Sequence, residues 1–85
     1  MKIRVTSKLK KAYKKMPKFV KEHAEEKEKI FITNPFDPRL DSHKLHGKYK
    51  DYWAFSVVGQ YGIMVAFTNS NSADFINIGT HDIYR

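Results

Sequence analysis

The sequence contains no cysteine, and this absence excludes several kinds of site at once. A disulfide scaffold, a thiolate metal site and a cysteine nucleophile all require that residue. Small secreted domains commonly depend on disulfides, so a chain of 85 residues without any fits a reducing cytoplasm best. We therefore expect a cytoplasmic protein with one domain, residues 1–85.

Long apolar runs are also missing. No stretch approaches the ~20 residues that a membrane span needs, and residues 1–5 lack the apolar core of a signal peptide. No membrane partner is expected.

Acidic residues are scarce, because 16 Lys and Arg face nine Asp and Glu for a formal net charge of +7. No acidic residue precedes Glu22, and every basic residue except Arg85 lies within positions 1–50. A solvated helix face is the simplest interpretation of such a charge run, but those faces usually mix both signs. The distribution therefore favours binding to nucleic acid or the ribosome, and it is compatible with an acidic protein partner.

Hydrophobic periodicity predicts a strand followed by a pair of helices. Alternation at residues 3–5 is typical of a strand with one buried face. Apolar residues recur at helical spacing over 7–16, where Ser7 is the expected N-cap, and again over 17–31, where the inner stripe begins at Phe19.

The last third of the chain predicts an antiparallel meander. The dipeptide Gly59-Gln60 and a polar loop at 69–72 separate its β-rich segments, and Phe75 is expected to face opposite to Ile78. The predicted strands cover residues 52–58, 61–68 and 73–78. The fold class is therefore α+β: an N-terminal strand, a two-helix hairpin, and a three-stranded antiparallel meander that completes a twisted four-stranded sheet. With the helices on one face, the other face is expected to be free and to carry the site.

Three spaced motifs resemble those of the RelE/ParE superfamily of toxins, and most of all its YoeB- and YafQ-like branches. The loop Asn34–Gly47 reads N-P-F-D-P-R-L, then H-K-L-H-G; Tyr52-Trp53 follows; and the chain closes with I-G-T-H-D-I-Y at Ile78–Tyr84. The resemblance covers the whole chain in element order and roughly residues 34–84 in motif detail.

This resemblance implies the toxin of a type II toxin–antitoxin system, a ribosome-dependent mRNA endoribonuclease that uses no cofactor. The implied partners are the ribosome, mRNA and a cognate acidic antitoxin. The superfamily also includes ParE-like poisons of DNA gyrase, so a non-nuclease poison and a catalytically degenerate antitoxin-binding homologue remain alternatives. A general RNA-binding domain is a third interpretation.

The resemblance assigns the catalytic roles to His81, Tyr84 and the loop histidine His43. A metal-free ribonuclease must activate a 2′-hydroxyl and protonate the leaving 5′-oxygen, and histidine suits both steps because its pKa lies near neutrality. Alternatively, the two residues have structural roles: His43 forms a hydrogen bond with the loop backbone, and Tyr84 packs against the sheet. No metal site is expected, because the histidines at 43, 46 and 81 have no ligand spacing and no acidic cluster nearby.

Basic side chains are expected to bind RNA or the ribosome, whereas Trp53 is expected to pack between the helices and the sheet. The predicted RNA-binding residues are Lys8, Lys10, Lys11, Lys14, Lys15, Lys44, Lys48 and Arg85.

One position departs from the family pattern. The resemblance implies an arginine that contacts the scissile phosphate after the aromatic residue of the second meander strand, but the sequence there is Tyr61-Gly62-Ile63. Three interpretations are open: Gly62 makes a bulge or lets RNA approach the backbone, the natural protein has lost its phosphate clamp or moved it elsewhere, or the chain is a deliberately disarmed variant. A weak or inactive nuclease is the resulting expectation.

Overall fold

The structure, a computed structural model, describes residues 1–84. A short strand and two helices come first, and the rest of the chain forms strands joined by short 3-10 helices. Strands are β1 (Lys2–Val5), β2 (His43–Lys44), β3 (Trp53–Val58), β4 (Tyr61–Asn69) and β5 (Ser72–Gly79), helices are α1 (Ser7–Lys14) and α2 (Lys18–Thr33), and 3-10 helices span Pro38–Leu40, Gly47–Tyr49 and His81–Tyr84.

Thr6, and not Ser7 as predicted, caps α1. The Thr6 hydroxyl accepts a hydrogen bond from the Leu9 amide at 3.1 Å and donates one to the Ile76 carbonyl at 2.7 Å. The cap therefore also ties the start of the helix to β5, which Ser7 could not do from inside the helix. In α2 the buried stripe begins at Val20, because Phe19 is 52% exposed.

The five strands form one sheet in the order β1-β5-β4-β3-β2. Strand β1 runs parallel to β5, and all other neighbours are antiparallel. The α+β prediction is confirmed, but the sheet has five strands where four were predicted. The additional strand β2 has only two residues, both exposed, so it carries no hydrophobic alternation to reveal it.

Helices α1 and α2 cover one face of the sheet and enclose the main core. Phe31 of α2 lies at its centre, with its ring centroid 5.1 Å from those of Phe55 and Phe75. Such aromatic contacts supply much of the buried area that a chain this short can assemble.

A β-bulge in β5 changes which side chains face this core. Val65 lies opposite Phe75 and Met64 lies opposite Asn77, so Ile76 is an extra residue in the ladder. The bulge places Phe75 and Ile78 in the same core, and the prediction that they face opposite ways was wrong.

The sequence predicted that the second face of the sheet is free. In the structure this face carries a smaller apolar cluster. Leu45, Ala54 and Met64 form its buried centre. Half-buried side chains of the loop, of β5 and of the C-terminal turn cover them: Tyr49, Tyr52, Ile76, Ile83 and Tyr84. We call the three buried and five half-buried residues together the second-face cluster. Neither helix within residues 1–84 has the length and apolarity to cross a bilayer.

Candidate functional site

Three of the predicted catalytic side chains lie together on the second face. The Tyr84 hydroxyl lies 2.8 Å from Nδ1 of His81, and their ring centroids are 5.7 Å apart. The His43 ring centroid lies 6.3 Å from that of Tyr84. Segments about 40 positions apart in the chain thus bring two imidazoles to one phenol, and we call this set the His–Tyr cluster.

The loop holds His43 in place through anchors on both sides of it. Leu40 is fully buried in the main core, Leu45 is buried in the second-face cluster, and the Ser42 hydroxyl donates to the Pro35 carbonyl at 2.7 Å. In the ladder His43 lies opposite Ala54, so its side chain shares the face of Ala54.

The C-terminal turn lies flat on the sheet because Gly79 has no side chain. A Cβ at Gly79 would lie 2.6 Å from Cγ2 of Ile83, so a residue with a side chain would force Ile83 or the turn to shift. Ile83 fixes the turn in the second-face cluster, and its amide donates to the Thr80 carbonyl at 3.1 Å. Burial raises the pKa of the Tyr84 phenol, which therefore keeps its proton at neutral pH and can donate to His81.

Gly62 is buried on the same face, between Ser56 and Gly79 in the ladder. A Cβ at this position would lie 2.9 Å from the Phe55 carbonyl oxygen. Real Cβ atoms do not approach backbone this closely, so a side chain would require the strands to move apart. Gly62 therefore permits the close packing of β4 on β3, a role outside the three interpretations drawn from the sequence.

The lysine-rich helix and the His–Tyr cluster lie on opposite faces of the sheet. Leu9 of α1 packs in the main core, whereas Tyr84 packs in the second-face cluster. The α1 lysines, counted together with the C-cap Lys15, are all exposed: Lys8, Lys10, Lys11, Lys14 and Lys15.

The other predicted RNA-binding residues, Lys44 and Lys48, differ in where they lie relative to the His–Tyr cluster. Lys44 lies opposite Trp53, on the face that the helices cover, so it points away from His43. Lys48 lies over the ring of Tyr49, with Nζ 5.1 Å from the centroid, and Tyr49 belongs to the second-face cluster. Arg85 lies outside the described residues.

No protein-family model matches the sequence, and no curated protein sequence gives a significant match. Solved structures do match. The YoeB/ParE toxin from Agrobacterium tumefaciens superposes with a TM-score of 0.79 at 16% identity, over 95% of this chain and 99% of that chain. YafQ from E. coli strain BL21(DE3) gives 0.78 at 19% identity, over 95% and 93%. The chain has the fold of the RelE/ParE-type toxins.

A third structure extends the likeness to RelE. The RelB-RelE antitoxin–toxin complex from Methanococcus jannaschii gives a TM-score of 0.74 at 20% identity, over 94% of this chain and 92% of that chain. The RelE/ParE-like fold expected from the motifs is thereby confirmed. At these identities the likeness establishes the fold, so any activity has to be argued from the side chains.

Within this RelE/ParE-like fold, Trp53 packs against a loop residue and a strand residue, and one residue beside His43 was not predicted from the sequence. The Trp53 ring lies 5.2 Å from that of Phe36 and 6.1 Å from that of Phe67. The missed residue is Asp41, whose carbonyl oxygen lies 3.1 Å from Nδ1 of His43 and whose backbone is left-handed. An aspartate after a short helical turn tolerates that conformation, which is the only signal the sequence offered.

Two further features of the RelE/ParE-like fold bear on cofactors and ligands. Within residues 1–84, no three or more His, Asp or Glu side chains are grouped so as to hold a metal ion. A cavity of about 220 Å³ opens between α1 and α2, and Leu9, Tyr13 and Ala24 are among its lining residues. It lies on the helix side of the sheet, away from the His–Tyr cluster.

Proposed function

We propose that the chain is the toxin of a toxin–antitoxin pair and that it cleaves mRNA on the ribosome by metal-free acid–base chemistry. The observation that carries this proposal is the His–Tyr cluster. Two imidazoles flank one phenol on an accessible face of the sheet, and both His43 and His81 are exposed to an incoming strand. The fold, shared with RelE/ParE-type toxins, supports the same assignment.

In the proposed reaction, the two histidines divide the proton transfers. His43 accepts the proton of the 2′-hydroxyl, the 2′-oxygen attacks phosphorus, and the bond from phosphorus to the 5′-oxygen breaks. Protonated His81 gives its Nε2 proton to that leaving oxygen while Tyr84 accepts a hydrogen bond from Nδ1–H. The products are a 2′,3′-cyclic phosphate and a 5′-hydroxyl, and exchange with water restores both histidines.

This chain places few cations where they could stabilise the negative charge that develops on the phosphate. Gly62 offers no cation where the resemblance implies an arginine, and Lys44 points to the other face. Lys48, beside the second-face cluster, is the remaining described lysine among the loop candidates. Because preorganised cations commonly supply the largest part of such catalysis, we expect cleavage to be slow.

The α1 lysines are proposed to bind ribosomal RNA rather than the cleaved message. They lie on the face of the sheet opposite the His–Tyr cluster, so a short single strand cannot reach both at once. Their interactions with phosphate are electrostatic, and affinity for the ribosome should therefore fall steeply with salt.

An acidic antitoxin is the proposed protein partner, and the cytoplasm the proposed compartment. The formal charge of +7 suits an acidic partner, and the RelE of Methanococcus jannaschii has been crystallised with RelB as an antitoxin–toxin complex. A short acidic protein encoded beside this chain should co-purify with it and suppress its activity.

The decisive experiment measures message cleavage in a reconstituted translation system. The wild type should produce new 5′ ends within codons of a defined message only when ribosomes are present. His81→Ala and His43→Ala should each lower the rate, by about 100-fold or more if proton transfer is lost. His46→Ala is the matched control, because His46 is an exposed histidine of the same loop. Equal rates for all four proteins would refute the assignment.

Gly62 supports one second candidate, a ParE-like gyrase poison or a catalytically degenerate homologue that still binds an antitoxin. The close approach of the Phe55 carbonyl makes Gly62 part of the sheet, so a phosphate clamp at this position is not recovered by a simple substitution. Induction in cells separates the candidates. Broken DNA with intact messages indicates gyrase poisoning, whereas cut messages with intact DNA indicate the nuclease.

A further inference from the structure

Asp41 has an unusual backbone for a residue with a side chain. Its φ and ψ are 49° and 44°, and it is the only non-glycine residue with positive φ within residues 1–84. Asp41 ends the 3-10 helix Pro38–Leu40, and its amide donates to the Pro38 carbonyl at 3.2 Å. The burial of Leu40 before it and the bond from Ser42 to Pro35 after it hold the chain in this conformation.

The left-handed turn points the Asp41 carbonyl back at the ring of His43. The carbonyl oxygen lies 3.1 Å from Nδ1. A carbonyl can only accept a hydrogen bond, so Nδ1 of His43 must carry the proton. In the neutral imidazole the other nitrogen, Nε2, then keeps its lone pair and can act as a base.

We propose that Asp41 is a positioning residue, whose main-chain carbonyl selects the Nδ1–H tautomer of His43 and thereby leaves Nε2 as the proton acceptor. The role belongs to the backbone conformation and not to the carboxylate. The consequence for cleavage rests on the proposed nuclease function, but the tautomer does not.

His81 provides the internal contrast. Its Nδ1 faces the Tyr84 hydroxyl at 2.8 Å, and a phenol can donate as well as accept. His81 can therefore bond to Tyr84 both as a neutral ring with Nε2–H and as a cation with two N–H groups. Both histidines are thus held at Nδ1, but only the partner of His43 fixes the proton on that nitrogen, whereas His81 can change its protonation state, as one base and one acid require.

The test is the tautomer of His43 in the folded wild-type protein, read from two-bond ¹⁵N–¹H correlations of the imidazole rings at a pH where they are neutral. Most neutral histidines free in solution carry the proton on Nε2. We expect His43 to be the exception, with the proton on Nδ1, while exposed His46 follows the free amino acid. A wild-type His43 protonated on Nε2 overturns the proposal without any variant.

A pair of substitutions at Asp41 then separates the backbone from the carboxylate. Asp41→Gly removes the carboxylate but adopts the left-handed conformation readily, so the Nδ1–H tautomer should persist. Asp41→Val also removes the carboxylate, but its β-branched side chain disfavours positive φ, so His43 should shift toward Nε2–H. If both variants lose the tautomer, the carboxylate was responsible and the proposal fails. Backbone amide spectra identify any variant that has unfolded.

Cleavage assays on the same proteins distinguish this inference from the function on which it rests. We expect Asp41→Gly to cleave within about threefold of the wild type and Asp41→Val to fall on the order of 100-fold, because misplaced catalytic groups cost this much. The expected tautomers without message cleavage by any protein would refute the nuclease and leave the role of Asp41 intact. Cleavage that is equal in both variants would refute the role of Asp41.

Discussion

The hydroxyl of Tyr84 lies 2.8 Å from Nδ1 of His81, and both side chains leave the same short 3-10 helix at the end of the chain. The pair is attached to the sheet through Ile83, which packs against Gly79. Tyr84 therefore has two separable roles: its ring packs in the second-face cluster, and its hydroxyl orients His81.

Tyr84→Phe separates these roles, because phenylalanine keeps the ring and removes only the hydroxyl. We expect message cleavage to slow by about tenfold, the equivalent of removing one hydrogen bond of about 1.4 kcal/mol from the transition state. The free energy of unfolding should change by less than about 1 kcal/mol, because the packing remains. Cleavage rates from primer extension and urea unfolding curves measure the two effects.

Tyr49→Phe is the matched control for this prediction. Tyr49 is a half-buried tyrosine of the same second-face cluster, on the loop side. Its substitution should leave the cleavage rate unchanged within about twofold. If Tyr84→Phe behaves in the same way, the bond to His81 has no part in the reaction.

Much of the fold could be predicted from the sequence, because each helix has one apolar stripe and the long strands are rich in β-branched and aromatic residues between clear turn signals. The periodicity of α2, the turn at Gly59 and the hairpin at 69–72 all follow from local chemistry. The bulge at Ile76 could not be predicted, since one inserted residue shifts the alternation without changing composition. Strand β2 is defined by its hydrogen bonds to β3 and not by any apolar pattern.

The candidate site was predictable as a set of residues but not as an arrangement. Motif resemblance identified His43, His81 and Tyr84, whereas their proximity depends on how the loop and the C-terminal turn fold over the second-face cluster. The position of Asp41 was hidden because a left-handed residue is recognised by its backbone angle. The close approach of Gly62 to the Phe55 carbonyl is likewise a property of strand geometry.

Gly62→Ala tests whether this glycine is required by the sheet. The added Cβ would meet the Phe55 carbonyl oxygen at 2.9 Å, so the strands must separate slightly. We expect a decrease of about 1–3 kcal/mol in the free energy of unfolding, as is typical of overpacked sites. Gly62→Arg should be destabilised at least as much, so any cleavage assay on it must be read together with its stability.

Gly59→Asn is the comparison for Gly62. Gly59 has a φ of 55° and open space around it, and asparagine tolerates this conformation. Its unfolding free energy should stay within about 0.5 kcal/mol of the wild type. A Gly62→Ala protein as stable as the wild type would show that β3 and β4 accommodate a side chain. That result would favour the interpretation in which the chain has lost a phosphate-binding arginine at this position.

Acid should weaken the loop through Asp37. Hydrogen bonds from the Arg39 side chain and amide lower the pKa of the Asp37 carboxyl to about 2 from its ordinary value of 3.8. Because the folded-state pKa is the lower one, the stabilisation is fully present above about pH 4 and is lost as the pH falls through 2.

Asp37→Asn isolates this contribution, because asparagine can still accept the Arg39 amide but carries no charge. The wild type should be the more stable protein at pH 7, and the difference in midpoint should shrink between about pH 4 and pH 2. Thermal unfolding at a series of pH values measures it. A difference that is constant from pH 7 to pH 2 would contradict the lowered pKa.

The opposite placement of α1 and the His–Tyr cluster predicts that binding and cleavage can be changed separately. Lys8, Lys11 and Lys15 are exposed and spaced to share one side of the helix, so a triple change to glutamine removes three positive charges from one surface. Ribosome affinity should drop, and the slope of log affinity against log salt should fall by about 2, or about 0.7 for each phosphate that the variant no longer neutralises. The positions of the cuts in the message should not change, because the His–Tyr cluster is untouched. Ribosome co-sedimentation over a range of salt concentrations measures the effect. The control of equal charge is a triple change of Lys2, Lys29 and Lys50 to glutamine. Equal slopes for the two triple variants would show that net charge, and not helix α1, sets the affinity.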